Sequence, residues 1–295
     1  MSDDGRFPIF TPMFTDVAGA TAYLDHIGGL EDGDIDVFEA ALALALHDHS
    51  GISVDKYRQH LIKMTAQAKG EIERLKQDGL DDGLDLRCEV IRSVMARLNG
   101  YVGDELNYNS IENADLIRVI DRRLGMPITI AVIAIALGRA LDWPVEGLNF
   151  PGHFLMRVEY AGKRAILDPF ALFKELGAPE LRALLKEMAG ERAELSAHYY
   201  EPASNRDILL RLQNNIKHRA IEAEDYTKAL TVIDLMKRFA PQEGRLLFDE
   251  GILLVRMEQP AAAVKALQSY VETTPEGPEK WQAIQLMREI GAMLN

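Results

Sequence analysis

Residues 122–170 decide the fold of this chain. They contain three short stretches, which read RRLGMPIT at 122–129, NFPGHFL at 149–155 and LDPF at 167–170. Pro127 suits the first turn of a helix, where the N–H that proline lacks is not needed. Residues 128–141 are then apolar on nearly every side. This pattern predicts a helix that begins at Pro127 and is buried all round.

Three short strands are predicted after this helix. Runs rich in apolar and β-branched residues occupy 145–150, 154–160 and 164–167. The turn Ala161-Gly162-Lys163 favours a hairpin between the last two strands. A buried helix followed by a small antiparallel sheet is an α+β arrangement. Because the other segments have mainly helical periodicity, the predicted fold class is α+β and predominantly helical.

The first 34 residues differ from the rest in charge and pattern. They hold seven acidic residues against Arg6 alone, together with five glycines. We therefore expect residues 1–34 to form an acidic N-terminal arm, irregular or lightly helical. Helical periodicity is clear after it, since apolar side chains recur at steps of three and four over 54–75.

The last 90 or so residues contain an internal repeat. Equivalent residues lie 34 positions apart, as in the pairs Ala229 and Ala263, Leu230 and Val264, Ile233 and Leu267, Pro241 and Pro275, and Leu212 and Leu246. This period is typical of tetratricopeptide repeats, which are stacked pairs of helices. The predicted pairs are 206–220 with 226–239 and 245–257 with 260–273. A plain helical bundle is the alternative.

Composition and charge exclude several functional classes. The 295 residues contain 33 basic and 46 acidic side chains, a net charge of −13. No basic stripe is present, so direct nucleic-acid binding is not expected. The single cysteine, Cys88, excludes a disulfide framework and a multi-cysteine metal site. His47-Asp48-His49 is not expected to hold a metal, because helical residues two apart point to different sides. No metal and no cofactor are predicted.

Location can also be argued from the sequence. The chain opens with the acidic Met1-Ser2-Asp3-Asp4, unlike a signal peptide, which has a basic start followed by an apolar run. The longest apolar stretch, 126–137, has 12 residues and is too short to cross a bilayer. A cytoplasmic protein without membrane contact is expected.

His153 and Asp168 are the candidate functional pair. His153 begins one predicted strand and Asp168 ends the next, so a hairpin turning near Gly162 would place the two side chains about 2.6 to 3.2 Å apart. A carboxylate beside an imidazole orients it, as in cysteine–histidine–aspartate hydrolases and acyl transferases. Three interpretations stay open: a structural hydrogen bond, a ligand or peptide cleft that also uses Asn149, Gly152 and Pro127, and live catalysis.

The three quoted stretches resemble the bacterial SirB family, whose members join a transglutaminase-like domain to tetratricopeptide repeats and are often labelled regulators of sirC expression. The resemblance covers about 35–290. It implies a papain-like, transglutaminase-like domain over 35–198 with an added helical layer, and a repeat domain over 199–295. In the transglutaminase-like superfamily the two strands carry the catalytic His and Asp, and a cysteine opens the preceding buried helix.

The nucleophile is absent from the matching position here, which reads Met126-Pro127-Ile128-Thr129. Thr129 is a poor substitute, and Cys88 is expected to be an ordinary core residue. The leading hypothesis is therefore a non-enzymatic binding or scaffold protein that holds a protein or peptide through 200–295. A hydrolase or acyl transferase using His153 and Asp168 is the first alternative, and a regulator of gene expression is the second.

Overall fold

A computed structural model describes residues 14–293. Its helices are α1 (Val17–Gly28), α2 (Val37–Leu46), α3 (Asp55–Gln77), α4 (Leu84–Arg92), α5 (Leu116–Arg122), α6 (Pro127–Arg139), α7 (Ala178–Ala189), α8 (Asn205–Glu222), α9 (Tyr226–Phe239), α10 (Arg245–Arg256), α11 (Pro260–Thr273) and α12 (Pro278–Met293). Its strands are β1 (Val102–Gly103), β2 (Leu124–Gly125), β3 (Val145–Leu148), β4 (Leu155–Tyr160), β5 (Lys163–Asp168) and β6 (Lys174–Glu175). The fold is α+β and predominantly helical, as predicted.

The main sheet is antiparallel, with the strand order β3-β4-β5-β6. Tyr160 pairs with Lys163, so a two-residue turn joins β4 to β5. Both turn residues have positive φ, 48° at Ala161 and 79° at Gly162. Positive φ at both positions matches the right-handed twist of a hairpin. The predicted hairpin is confirmed, and its register carries the end of β5 back beside the start of β4.

Helix α6 is the central element of the core. Its side chains are buried nearly all round, and it contacts α2, α3 and α8 as well as β3 and β4. Gly138 lets β3 approach closely, since a Cβ at this position would lie 2.3 Å from Cγ2 of Val145. The helix begins at Pro127, as predicted, because proline fits the first turn.

The structure describes the expected N-terminal arm from residue 14 onward. From residue 17 to 28 the chain forms α1, which packs on α2 and α9. Two acidic residues of the arm have structural roles, because Asp16 caps α1 and Asp32 accepts hydrogen bonds from the backbone N–H groups that open α8. Just after the arm, Asp36 caps α2. Carboxylates suit these positions since helix N-termini carry unpaired N–H groups. The part of the arm before residue 14 lies outside the described residues.

The repeat prediction is confirmed. Helices α8 and α9 form one antiparallel pair, α10 and α11 form the next, and α12 follows. Ala229 in α9 and Ala263 in α11 are both fully buried, at 0% exposure. The 34-residue offset therefore joins equivalent positions of successive pairs.

The sequence patterns did not predict the smaller elements. β1 and β2 form a two-residue parallel pair beside the start of α6. Helix α4 continues into wider helical turns over Ser93–Leu98. Across residues 14–293, no helix combines the length and the apolar character needed to span a membrane.

Candidate functional site

His153 and Asp168 lie side by side at one edge of the sheet. Asp168 is the last residue of β5, and His153 stands two residues before β4. The Nε2 atom of His153 lies 2.9 Å from Oδ1 of Asp168, within the range expected from the hairpin, and the two side chains are 11% and 12% exposed. A carboxylate accepts hydrogen bonds, so Nε2 carries the proton. The other ring nitrogen of His153, Nδ1, forms no hydrogen bond with a described residue.

The Asp168 carboxylate is held by its own loop. Its Oδ1 also accepts hydrogen bonds from the N–H of Phe170 at 2.9 Å and, more loosely, of Ala171 at 3.4 Å. Farther along the loop, Leu172 and Phe173 both adopt the left-handed conformation, with φ of 54° and 57°. Such backbone is strained in residues other than glycine and is found often at functional sites. The hydrogen bond that Phe173 N–H donates to Asp168 O closes the loop.

Aromatic rings form one wall of the site. The Phe170 ring lies edge-on to His153, with ring centroids 6.4 Å apart, and Tyr108 lies edge-on to Phe170 at 5.6 Å. Gly103 of β1 makes room for this wall, because a Cβ there would lie 2.3 Å from Cδ2 of Phe170. The small strand pair is therefore part of the site's architecture.

Two arginines of α8 hold the loops of the site from the repeat side. Arg211 donates from Nη2 to the carbonyl oxygens of His153 at 2.9 Å and of Phe150 at 3.2 Å. Arg219 donates to the carbonyl oxygens of Asn109 and Tyr108. Burial lowers the pKa of both arginines. The sequence contained no local signal for these residues, since 58 positions separate Arg211 from His153.

The start of α6 offers no nucleophile. Thr129 is fully buried, and its hydroxyl donates to the carbonyl oxygen of Asn113 at 2.8 Å. The same oxygen accepts from the N–H of Met126, so the start of the helix is fixed by Asn113. Pro127 is buried at the first helical position. The threonine hydroxyl has a structural role that keeps it from attacking a carbonyl group.

Cys88 lies in α4 and is 4% exposed. Burial, with a smaller contribution from Glu175, raises the pKa of its thiol to about 12. Since the thiolate is the reactive form, this cysteine is inert at neutral pH. Cys88 is a core residue, as expected.

The predicted cleft residues Gly152 and Asn149 have contacts outside the His153–Asp168 pair. Gly152 has φ of 70° and faces α7, where a Cβ added to it would lie 2.7 Å from Cβ of Met188. Asn149 donates its backbone N–H to Glu201 O, and no described hydrogen bond joins it to His153 or Asp168. A role of Asn149, Gly152 and Pro127 in binding stays a prediction.

His47, Asp48 and His49 turn to three different partners. Nδ1 of His47 bonds to Ala43 O, Asp48 pairs with Lys228, and Nε2 of His49 lies 2.7 Å from Asp115. Throughout 14–293, no cluster of three or more His, Cys, Asp or Glu side chains could hold a metal ion.

A large open cavity of about 910 Å³ lies elsewhere, between the start of α2, one face of α3 and the end of α6. Buried Ile35, Leu61 and Ile135 form its floor. Arg58 in its wall makes a bidentate ion pair with buried Glu39. None of the cavity's lining residues belongs to the His153 site.

Comparison with known proteins agrees with this architecture. The family profile described as transglutaminase-like superfamily matches residues 55–214, and the tetratricopeptide repeat profile matches 216–288. A UPF0162 protein of Xylella fastidiosa (strain Temecula1) is 25% identical over 254 residues, covering 85% of this chain and 88% of the relative. A UPF0162 protein of Vibrio cholerae is 29% identical over 180 residues, covering 61% of this chain and 66% of the relative.

A further similarity is to a protein named SirB1 in Salmonella typhimurium, which is 26% identical over 162 residues. That alignment covers 55% of this chain and 60% of the relative. The chain belongs to the transglutaminase-like superfamily and, with repeats following that domain, to the SirB family within it.

Proposed function

We propose that this protein is a non-catalytic binding or scaffold module that holds a protein or peptide partner through its repeat region, 199–295. The observation that carries the proposal is the start of α6, where Met126, Pro127 and Ile128 stand in place of a nucleophile and the Thr129 hydroxyl is bonded inward. Acyl transfer through a covalent intermediate requires an activated nucleophile beside the imidazole. The remaining thiol, Cys88, is buried and protonated at neutral pH.

The repeat region supports the binding part of the proposal. Stacked helix pairs build extended surfaces that receive peptides or helices. Trp281 of α12 is 61% exposed, and large exposed aromatic side chains are favoured anchors in protein interfaces. A regulatory role, which the family label suggests, would act through the bound partner, because a net charge of −13 opposes direct contact with nucleic acid.

The catalytic part is tested by assaying amide hydrolysis and transamidation with the wild type, Cys88→Ser and His153→Ala. We expect background rates that are equal in all three proteins. Robust turnover by the wild type that either substitution abolishes would overturn the proposal.

The binding part is tested by co-purifying the tagged full chain from its native cell and titrating the recovered partner calorimetrically. Trp281→Ala should weaken binding by about tenfold or more, which is the range for losing an aromatic anchor. Ile62→Ala is a matched control, since Ile62 is 42% exposed but lies in α3, outside the repeats. Absence of any partner, or equal affinity for both variants, contradicts binding through the repeat region.

The alternative is a hydrolase in which His153 activates water directly. The 2.9 Å hydrogen bond between His153 and Asp168 favours this alternative, because it orients the imidazole while Nδ1 has no partner among the described residues. In this case turnover is insensitive to Cys88→Ser and abolished by His153→Ala. That pattern would separate it from thiol chemistry and from the binding proposal.

A further inference from the structure

The residues around His153 form one continuous face shared by the two halves of the molecule. Tyr108 contacts Phe170, Phe170 contacts His153, and the carbonyl oxygen of His153 accepts a hydrogen bond from Arg211. Arg219, two helical turns farther along α8, fixes the backbone of Tyr108.

Arg211 and Arg219 bring positive charge to this face, and the acid that acts on Arg219 from the same helix is Glu222. Within 14–293, no carboxylate lies within ion-pairing distance, 4.0 Å, of Arg211 or Arg219. Arg219 uses all of its guanidinium nitrogens on backbone and side-chain oxygens. Arg211 bonds through Nη2 alone, so no described residue accepts a hydrogen bond from its Nε or Nη1. The carboxylate of Asp168 in this site already accepts hydrogen bonds from His153 and from its own loop.

The rim of the same face is apolar and exposed. Leu106 is 93% exposed, Leu172 is 50% exposed, and Tyr108 is 42% exposed. The contact between Tyr108 and Phe170 brings the loops of the two leucines together. Exposed apolar side chains grouped beside polar ones mark surfaces that bind partners.

From this combination we propose that the face of Tyr108, Phe170, His153 and Arg211 binds an extended protein segment carrying acidic side chains next to apolar ones. An acidic side chain pairs with the free donors of Arg211, and a neighbouring apolar side chain packs on the leucine rim. Nδ1 of His153 accepts a backbone N–H of the segment. The inference rests on the proposed binding function and extends it, because only Arg211 of this face belongs to the repeat region, and it names a ligand class.

The test uses the full chain and a fluorescein-labelled synthetic hexapeptide that alternates leucine and glutamate, with a glutamine twin. Binding is measured by fluorescence anisotropy at low and high salt. We expect the glutamate peptide to bind about tenfold more tightly than its twin, the range for one charge-assisted hydrogen bond, and salt to reduce this difference. Equal affinities for the two peptides, or no binding of either, would overturn the inference.

Variants locate the contact. Arg211→Gln should abolish the preference for glutamate, whereas Arg288→Gln removes the same charge from α12 and should leave it intact. Replacing Arg211 also removes the hydrogen bonds that hold two loops, so a second variant is needed. Leu106→Asp serves this purpose, because Leu106 is exposed and its replacement leaves the folded core unchanged. The Leu106→Asp substitution should weaken binding of the glutamate peptide about tenfold. Unchanged binding by Leu106→Asp contradicts the proposed face.

The partner recovered from the cell separates this inference from the proposed function. If it binds Arg211→Gln and Leu106→Asp as tightly as the wild type, the face is wrong and the binding function stands. If the peptide results hold but no cellular partner exists, the face stands and the scaffold function fails.

Discussion

The hydrogen bond between His153 and Asp168 is reinforced by further hydrogen bonds to the carboxylate, which a lone buried ion pair would lack. Two backbone N–H groups share the carboxylate oxygen that faces the imidazole, so Asp168 stays oriented whether or not His153 is charged. Such positioning serves a general base and a binding site equally well. The difference between the two functions therefore lies at the start of α6, where this chain has no attacking group.

Cys88 provides a prediction at the scale of one residue. Because burial raises its thiol pKa to about 12, the folded protein should react with an aromatic disulfide reagent at least about a hundredfold more slowly than the denatured chain. The release of coloured thiolate at pH 8, with and without guanidinium, measures both rates. Rapid labelling of the folded protein would show an exposed thiolate and would reopen thiol chemistry.

His60 should make stability depend on pH. Burial, reinforced by the charge of Arg123, lowers its pKa to about 4, whereas the unfolded chain has the ordinary value near 6.5. Between these values the unfolded state binds a proton that the folded state does not, so the free energy of unfolding falls as the pH falls. After allowance for solvent screening of this partly buried group, the loss is about 1–2 kcal/mol.

Urea unfolding of wild type and His60→Gln at pH 7.5 and 4.5 measures this effect. The variant should lose about 1–2 kcal/mol less than the wild type over this range. His218→Gln is the control, since His218 is exposed on α8 and should behave like the wild type. Parallel pH dependence in all three proteins is the contrary result.

At the scale of elements, Asp32 links the N-terminal segment to α8. Its carboxylate accepts from the backbone N–H of Asn205 at 2.7 Å and of Arg206 at 2.9 Å. Asp32→Ala should lower the free energy of unfolding by about 1–2 kcal/mol, the usual cost of a lost helix cap. Asp34→Ala is the matched control, because Asp34 is exposed and accepts no hydrogen bond from a described side chain. Chemical denaturation compares them, and equal stabilities would contradict the capping role.

Gly251 marks the close crossing of α10 and α11. A Cβ at this position would lie 2.6 Å from Cγ of Leu267, inside a buried contact. Gly251→Ala should therefore destabilise the protein by about 1–3 kcal/mol through overpacking, even though alanine favours helices. Gly244→Ala, with no atom within 4 Å of its added Cβ, should be nearly neutral. Thermal unfolding followed by circular dichroism distinguishes the two, and a stabilised Gly251→Ala would disprove the close crossing.

For the whole molecule, the main apolar core includes residues on both sides of the predicted boundary between 198 and 199. Leu212 and Met236 of the first repeat belong to the same cluster as Leu42 and Ile133. Leu267 and Tyr270 belong to a separate, smaller cluster with Phe248 and Ile290. The first helix pair is thus packed as part of the main body, and the later helices depend on their neighbours.

Hydrogen exchange should show this difference. Amides of α11 and α12 should exchange at lower opening free energy than those of α8 and α9, because the later helices share less buried apolar surface with the rest. Mass spectrometry of proteolytic fragments after timed exchange gives the comparison. Equal protection of these four helices would mean that the array opens as one unit.

The sequence by itself determined the elements that depend on local pattern. The buried helix from Pro127, the hairpin at Gly162 and the 34-residue repeat all follow from periodicity and turn chemistry, which act between near neighbours. The contact between His153 and Asp168 followed too, because a hairpin converts a spacing of 15 residues into adjacency.

Tertiary structure decided what no local pattern records. Arg211 reaches His153 only because α8 packs against the core, and the acids of the expected arm became helix caps and ion pairs for the same reason. The strand pair β1–β2 is two residues long on each side, too short to produce a period. These contacts join residues that are 58 to 213 positions apart, so they depend on how whole elements pack against the core and leave no local pattern in the sequence.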